Sequence, residues 1–152
     1  MGAPESMSAL MLEAELRRRF EEYESYHHHS TNQRLHYVGV PLIMLGLLGL
    51  LARIPLWGQV DGGLALWLLA AVYYAWIARR LGLMFAGFSF LVYWIGHIAP
   101  LSVLVLSFIG GWGIQALGHA RFERNSPAFF KNLEHLLIGP LWLFSRLLGG
   151  RL

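Results

Sequence analysis

Hydrophobic residues along this chain fall into long runs that short polar segments separate. Four of the runs carry almost no charge, and they cover residues 36–51, 64–78, 81–96 and 98–117. Each run is close to the ~20 apolar residues that cross a bilayer as a helix, so the pattern predicts four transmembrane helices. No charged residue lies between Leu81 and Gly118, and that stretch is too long for a single span. We therefore expect a hairpin near Pro100, because proline is well suited to the first turn of a new helix.

The two flanking segments carry a different pattern. Residues 8–28 repeat apolar side chains at spacings of four and three, which predicts an amphipathic helix whose apolar face holds Leu12, Leu16, Phe20, Tyr23 and His27. Residues 132–148 mix Glu134 and Arg146 with leucines and contain Pro140, which favours an interfacial or re-entrant helix. The expected fold is an all-α polytopic membrane helical bundle, with residues 1–152 forming a single integral membrane domain.

Composition agrees with a membrane protein. The 152 residues are 56% hydrophobic and only 14% charged, which is too apolar for a soluble domain whose surface must be covered by polar groups. The net charge is +3, but the basic residues form short clusters beside apolar runs, so we expect a lipid bilayer as partner and no nucleic acid. The chain has no cysteine, which excludes thiolate metal ligands, disulfides and a cysteine nucleophile.

The distribution of basic residues predicts the orientation in the membrane. If the amino terminus is cytoplasmic, eleven of the twelve lysine and arginine residues lie on cytoplasmic segments, and only Arg53 lies outside. This asymmetry follows the positive-inside rule and predicts that both termini are cytoplasmic. The glutamate-rich amino terminus has no apolar core before Leu35, so we do not expect a cleavable signal peptide. The expected location is a bacterial inner membrane, or the endoplasmic reticulum in a eukaryote.

This topology gathers six of the seven histidines at the cytoplasmic membrane face, namely His27, His28, His29, His36, His119 and His135. His28 and His29 are adjacent and cannot both point inward. His97 falls at the opposite face, where we expect a structural role in the hairpin.

Two segments carry the candidate chemistry. His27 ends the amphipathic helix and His36 lies in the first turn of the first span, with Ser30, Thr31 or Asn32 available to cap that span. The break between the two helices allows both rings to face one centre.

The second segment places Gln115, His119 and Glu123 four residues apart on one helix face, where an imidazole and a carboxylate can chelate one ion. The predicted metal ligands are therefore His27, His36, His119 and Glu123. Imidazoles with one carboxylate and open positions suit both non-haem Fe(II) oxygen chemistry and catalytic zinc. Residue spacing does not choose between these metals.

Two motifs carry a resemblance to a known family. The stretch "YHHHSTNQRLHYVGVP" fits H-x4-N-x3-H followed by proline, and "QALGHARFERNSPA" fits Q-x2-G-H-x2-F-E-x3-P-A. From about Leu16 to Pro140 the chain resembles the small membrane family typified by the fungal 2-hydroxy fatty acid dioxygenase of phytosphingosine breakdown. The resemblance implies an Fe(II) enzyme that uses O2 to shorten a long-chain 2-hydroxy fatty acid by one carbon. It also implies essential roles for His27, His36 and His119, with catalytic-site companions Asn32, Gln115 and Glu123.

Two other functions are compatible with the residues. One is a non-catalytic lipid-binding scaffold or small transporter whose histidines sense pH. The other is a different metal-dependent lipid enzyme, although the chain lacks the H-x2-H-H element of membrane desaturases.

Several further residues have simple expected roles. Arg34 or Arg121 could pair with a substrate carboxylate, although interfacial arginines more often set topology. Aromatic residues near the span ends are expected to anchor the bilayer interface, and these are Trp57, Tyr93, Trp94 and Trp112. The "GGWG" stretch at residues 110–113 predicts close helix packing.

Overall fold

The computed structural model describes residues 3–124 and 126–150, and helices dominate it, as the sequence predicted. The α-helices in these residues are α1 Ala3–Glu24, α2 Ser30–Leu51, α3 Gly62–Ile77, α4 Arg79–Ile98, α5 Leu101–Gly118 and α6 His135–Leu147. A π-helix, His119–Glu123, extends α5, and a 3-10 helix, Ala128–Phe130, precedes α6. The sequence did not predict the short antiparallel hairpin of β1 Pro55–Trp57 and β2 Val60–Asp61, which joins α2 to α3.

Within the described residues, three helical segments are long and apolar enough to cross a membrane: α2, α4 and Leu101–Glu123, which combines α5 with the π-helix. Helix α3 is apolar but has only 16 residues. At 1.5 Å per residue it is about 24 Å long, which is shorter than the ~30 Å hydrocarbon core of a bilayer.

The start of α2 differs from the prediction. The helix begins at Ser30, not at His36, because His29 is its N-cap and accepts a hydrogen bond from the Thr31 N–H at 3.1 Å. Ser30, Thr31 and Asn32 therefore lie in the first helical turn, and the prediction that one of them caps the helix is wrong. His36 lies in the second turn.

The predicted hairpin between the last two spans is in place. Helix α4 ends at Ile98, and Pro100 is the N-cap of α5. Proline has no N–H to leave unsatisfied at a helix start, so the chain turns here at little cost.

Helices α2 and α5 cross with their backbones in contact. A Cβ atom added to Gly111 would lie 2.8 Å from the Gly39 carbonyl oxygen, and one added to Gly39 would lie 3.1 Å from the Gly111 carbonyl oxygen. Both positions therefore need a residue without a side chain. Small residues allow this close approach in membrane helices, where van der Waals packing holds the pair together.

Helices α1 and α6 pack over one end of the bundle. Ile138 and Leu141 of α6 are fully buried, and Trp142 is 2% exposed. The residues predicted for the apolar face of α1 are buried, with the exception of Leu12, which is 43% exposed. Helix α6 is therefore part of the core at this end.

Polar contacts close the opposite end. The Asp61 carboxylate caps α3 by accepting the Leu64 N–H at 2.8 Å, and it accepts the Tyr93 hydroxyl at the same distance. His97 Nδ1 lies 3.3 Å from Asp61 Oδ2. Tyr93 is 6% exposed, so its prediction as an interfacial anchor is wrong, whereas Trp57 and Trp94 are 89% and 55% exposed.

The glycine contact generates a stability prediction. Replacing Gly111 with alanine should lower the stability of the detergent-solubilised protein by about 1–3 kcal/mol, because the new methyl group forces α2 and α5 apart. Gly110→Ala is the matched control, since an added Cβ there meets nothing within 4 Å. Thermal unfolding followed by circular dichroism measures both. Equal melting temperatures for the two variants would contradict this packing.

Candidate metal centre

His27 lies in the loop between α1 and α2, and local hydrogen bonds hold it there. Its N–H donates to the Glu24 carbonyl at 2.9 Å, and its carbonyl accepts the Gln33 side-chain amide at 2.7 Å. The Tyr23 ring stacks on the imidazole with a centroid separation of 4.1 Å. These contacts leave the ring only 2% exposed.

Three imidazoles from distant parts of the chain converge on one point. They belong to His27 in the loop, His36 in α2 and His119 at the start of the π-helix, and their ligand atoms lie within 4.8 Å of one another. All three residues are buried. The structure thus brings together three of the four predicted metal ligands.

The tautomers of His27 and His36 follow from their hydrogen bonds. Nδ1 of His27 lies 2.7 Å from the Tyr23 carbonyl oxygen, and Nδ1 of His36 lies 2.8 Å from the Asn32 carbonyl oxygen. A carbonyl only accepts, so each Nδ1 must carry the proton and each Nε2 of the neutral rings must present a lone pair. The two Nε2 atoms nevertheless face each other at 3.0 Å.

A cation resolves this arrangement. Two lone pairs at that distance repel unless a positive charge lies between or beside them, and no hydrogen is available to either nitrogen. Metal–imidazole bonds of about 2.0–2.1 Å place two ligands of one ion about 3 Å apart when they are near a right angle. The Nδ1–H to carbonyl bonds are also the outer contacts that orient metal-binding histidines. The residues present therefore fit a metal ion.

His119 completes the group. Its Nδ1 is buried without a hydrogen-bond partner, and its ring centroid lies 4.8 Å from that of His27 and 5.3 Å from that of His36. Native proteins rarely leave a buried polar atom unsatisfied, so this nitrogen also fits a site that binds a further partner.

Burial sets the protonation states of His27 and of the Tyr23 ring that stacks on it. Desolvation, followed by the neighbouring His36, lowers the pKa of His27 to about 3, so this imidazole is neutral at physiological pH. Burial raises the pKa of Tyr23, so its phenol stays protonated and stacks on the site as a neutral ring. Metal binding therefore does not have to displace a proton from His27.

Glu123 lies beside the imidazole group and contacts the loop that carries His27. Its carboxylate accepts the backbone N–H groups of His28 at 3.1 Å and His29 at 2.9 Å, and the Asn32 side-chain amide at 3.0 Å. Its oxygens are not among the converging ligand atoms. The predicted ion chelated by His119 and Glu123 on one α-helical face is thus not the arrangement observed.

The local backbone explains this difference. The helix changes from α to π after Gly118, and the Arg124 N–H donates to the His119 carbonyl at 3.0 Å, five residues back. Arg124 then ends the helix with a φ of 53°. A π-turn changes the direction of the side chains that follow it and is frequent at functional sites. Here it accompanies the contact between Glu123 and the His28–His29 backbone.

A cavity of about 240 Å³ opens from the three imidazoles. Its walls are mostly apolar side chains of α2, α5 and α6. Gln115 also lines it, and its Nε2 is buried without a hydrogen-bond partner. Trp112 lines the cavity as well, so its predicted place at the bilayer interface is not the one observed.

His135 is a cavity residue that the motif analysis left out. It is 4% exposed, lines the cavity and lies 3.4 Å from Glu22 through Nε2. The signal for it in the sequence is the predicted topology, which groups His135 with His27, His36 and His119 at one membrane face. Arg34 and Arg121 are exposed and do not line the cavity, so the geometry gives no support to their pairing with a substrate there.

Comparisons with known proteins point the same way as the motifs. The model of the family described as "2-hydroxy-palmitic acid dioxygenase Mpo1-like" matches residues 14–151. The chain is 27% identical over 135 residues to the 2-hydroxy-palmitic acid dioxygenase MPO1 of Saccharomyces cerevisiae, which covers 85% of this chain and 77% of the yeast protein. No solved structure matches the chain.

The imidazole group generates a metal-binding prediction. His27→Ala, His36→Ala and His119→Ala should each bind metal more weakly than wild type or lose it, because each removes one of three converging nitrogens. The proteins should remain folded, since apolar packing holds the helices. Metal analysis after purification measures the loss.

Two histidines serve as controls. His28 adjoins His27 but is exposed, and His97 lies near the end of α4, at the end of the bundle opposite the imidazoles, about 27 Å away as judged from the length of α5. His28→Ala and His97→Ala should keep the metal. Retention by His119→Ala together with loss by His97→Ala would refute the site.

The position of Glu123 predicts a weaker effect. Glu123→Gln keeps one carbonyl acceptor but turns an NH2 group toward backbone donors, so the loop should loosen and metal affinity should fall by about 10- to 100-fold. Asn32→Ala should act in the same direction. X-ray absorption of the metal-loaded variant should show the same number of nitrogen ligands as wild type. A loss as complete as that of His119→Ala would instead make Glu123 a direct ligand.

Proposed function

The chain belongs to the Mpo1-like family, and from this premise we propose that it is an Fe(II)-dependent dioxygenase acting on long-chain 2-hydroxy fatty acids. It uses O2 to convert such an acid into the fatty acid one carbon shorter. The observation that carries the proposal is the pair of facing Nε2 lone pairs of His27 and His36, which a metal ion satisfies. Balanced atoms then require carbon dioxide and water as the other products.

The ligand chemistry favours iron among the metals that imidazoles bind. Non-haem iron sites that bind both a substrate and O2 typically have few protein ligands and leave coordination positions open. Zinc binds the same donors, but it has no redox chemistry and cannot serve a dioxygenase. Bound iron would supply the oxygen chemistry.

The protein residues then have defined tasks. His27 and His36 would hold the metal with rings in fixed orientations, because backbone carbonyls accept hydrogen bonds from their Nδ1–H groups. Glu123 and Asn32 position the loop from α1 to α2. The buried Gln115 amide is available to donate a hydrogen bond to an oxygen of the substrate head group. The apolar cavity walls exclude water from the reacting centre.

We also propose a four-span arrangement in the membrane with both termini cytoplasmic. Helix α3 supports its inclusion as a span, because Leu69, Val72 and Trp76 are 72%, 70% and 65% exposed and would face lipid. Its short length is tolerable, since a bilayer can thin locally at modest cost. The metal centre then lies at the cytoplasmic end, where a fatty acid can enter from the inner leaflet.

The reaction itself is directly testable. Purified protein with Fe(II) and O2 should convert 2-hydroxyhexadecanoic acid to pentadecanoic acid, as measured by mass spectrometry. Hexadecanoic acid is the matched control and should be inert, because it lacks the hydroxyl that can bind metal with the carboxylate. Removal of iron with a chelator should stop turnover, and Fe(II) should restore it. Restoration by zinc, or equal turnover of the unhydroxylated acid, would reject the proposal.

Reporter fusions test the topology. A reporter after Leu152 should read cytoplasmic, and one inserted at Gly58, in the exposed turn between β1 and β2, should read as exported. The reason is the placement of eleven of twelve basic residues on one side. If the reporter after Leu152 reads as exported, the four-span model fails.

A further inference from the structure

The apolar part of the cavity is a groove between α2 and α5 that starts at the imidazoles. On α2 its lining residues include His36, Val40, Ile43 and Leu47, and along α5 and the π-helix that extends it they include His119, Gln115, Trp112 and Phe108. Both sets step by four, three and four residues, so each follows one face of its helix. The first and last positions of each set are eleven steps apart, which corresponds to a length of about 16 Å. We call this region the α2–α5 groove.

The two ends of the groove differ in chemistry. The imidazole end holds the buried, unpartnered Nε2 of Gln115, one helical turn from His119. The far end is wholly apolar, and Leu47 there is 36% exposed on the surface of α2. Phe108 and Trp112 form one wall, with ring centroids 6.4 Å apart. The groove is therefore polar at one end and open toward lipid at the other.

This polarity selects one class of occupant. The unpartnered amide N–H of Gln115 requires an acceptor oxygen at one end of the occupant, and the apolar walls require a hydrocarbon chain along the rest. A 2-hydroxy fatty acid has this distribution, with its carboxylate and hydroxyl on adjacent carbons at one end of the chain. A plain hydrocarbon would leave Gln115 unsatisfied.

We propose that the α2–α5 groove holds the acyl chain of the substrate and that the Gln115 amide binds an oxygen of its head group. This inference rests on the proposed function, and it assigns which residues recognise chain length and which recognise the head. The groove sets a preferred minimum length, because shorter chains leave part of it unfilled. Longer chains pass Leu47 into the bilayer and are accepted.

The test measures binding to metal-free protein, which does not depend on turnover. The probes are 2-hydroxyhexadecanoic acid and 2-hydroxyoctanoic acid, and their affinities are measured by calorimetry in one detergent. Ile43→Trp fills the middle of the groove and should weaken binding of the long acid by about tenfold or more, and of the short acid less. Val38→Trp is the matched control, because Val38 is 53% exposed on the same helix and does not line the groove.

Two more variants complete the experiment. Leu47→Trp should weaken the long acid alone, and its exposed side chain allows the larger ring if Ile43→Trp fails to fold. Gln115→Leu should weaken both acids by a similar factor, because it removes a head-group contact. If neither tryptophan variant differs from Val38→Trp with the long acid, the groove assignment is overturned. A chain-length-dependent effect of Gln115→Leu would overturn its head-group role.

The outcomes separate this inference from the proposed function. Wild-type protein that binds the long acid through the groove but never shortens it would retain the groove and reject the dioxygenase activity. Wild-type protein that shortens the acid, with binding unaffected by Ile43→Trp and Leu47→Trp, would retain the activity and reject the groove.

Discussion

The contact on which the site depends is the approach of two imidazole nitrogens that cannot hydrogen bond to each other. His27 and His36 each use the Nδ1 proton on a carbonyl four residues earlier in the chain, so their Nε2 lone pairs face each other at 3.0 Å. The protein holds this unfavourable geometry with backbone groups that cannot move without breaking α1 or α2. A polypeptide that folds into such an arrangement is prepared for a cation, because a cation turns the repulsion into two bonds.

The rest of the structure keeps these imidazoles buried and holds the segments that carry them together. The Glu123 carboxylate ties the end of α5 to the His28–His29 backbone, so the third imidazole and the loop of the first move together. Helices α1 and α6 cover the loop, and the Trp142 indole N–H donates to Glu24 at 2.6 Å. A Cβ added to Gly139 would lie 2.8 Å from the Tyr23 hydroxyl, so α6 approaches the ring that stacks on His27 as closely as glycine allows. Without this cover the His27 loop would face water.

Some of this could be read from the sequence and some could not. Apolar runs and the positions of Arg and Lys were enough to gather His27, His36 and His119, because helix length and topology return distant segments to one membrane face. The placement of Glu123 was not predictable, since an i, i+4 spacing implies a common face only in an α-helix and the chain forms a π-turn there. The cap at His29 also escaped prediction, because imidazole is a less common cap than the serine, threonine and asparagine that follow it. A tryptophan near a span end, such as Trp112, can face either lipid or a cavity, and the packing of the neighbouring helices determines which.

The position of the three imidazoles at one end of the bundle agrees with the cost of polar groups in a membrane. Three imidazoles, a carboxylate and two side-chain amides in the middle of the hydrocarbon would each need a buried partner. At the end of α2 and α5, backbone N–H groups of a loop are free to bind the carboxylate, and α1 and α6 supply a protein cover in place of lipid. The apolar groove extends from the imidazoles along α2 and α5, where it would hold the acyl chain of the proposed substrate. The proposed reaction on a fatty acid would thereby be confined to the end of the bundle where the imidazoles meet the apolar groove.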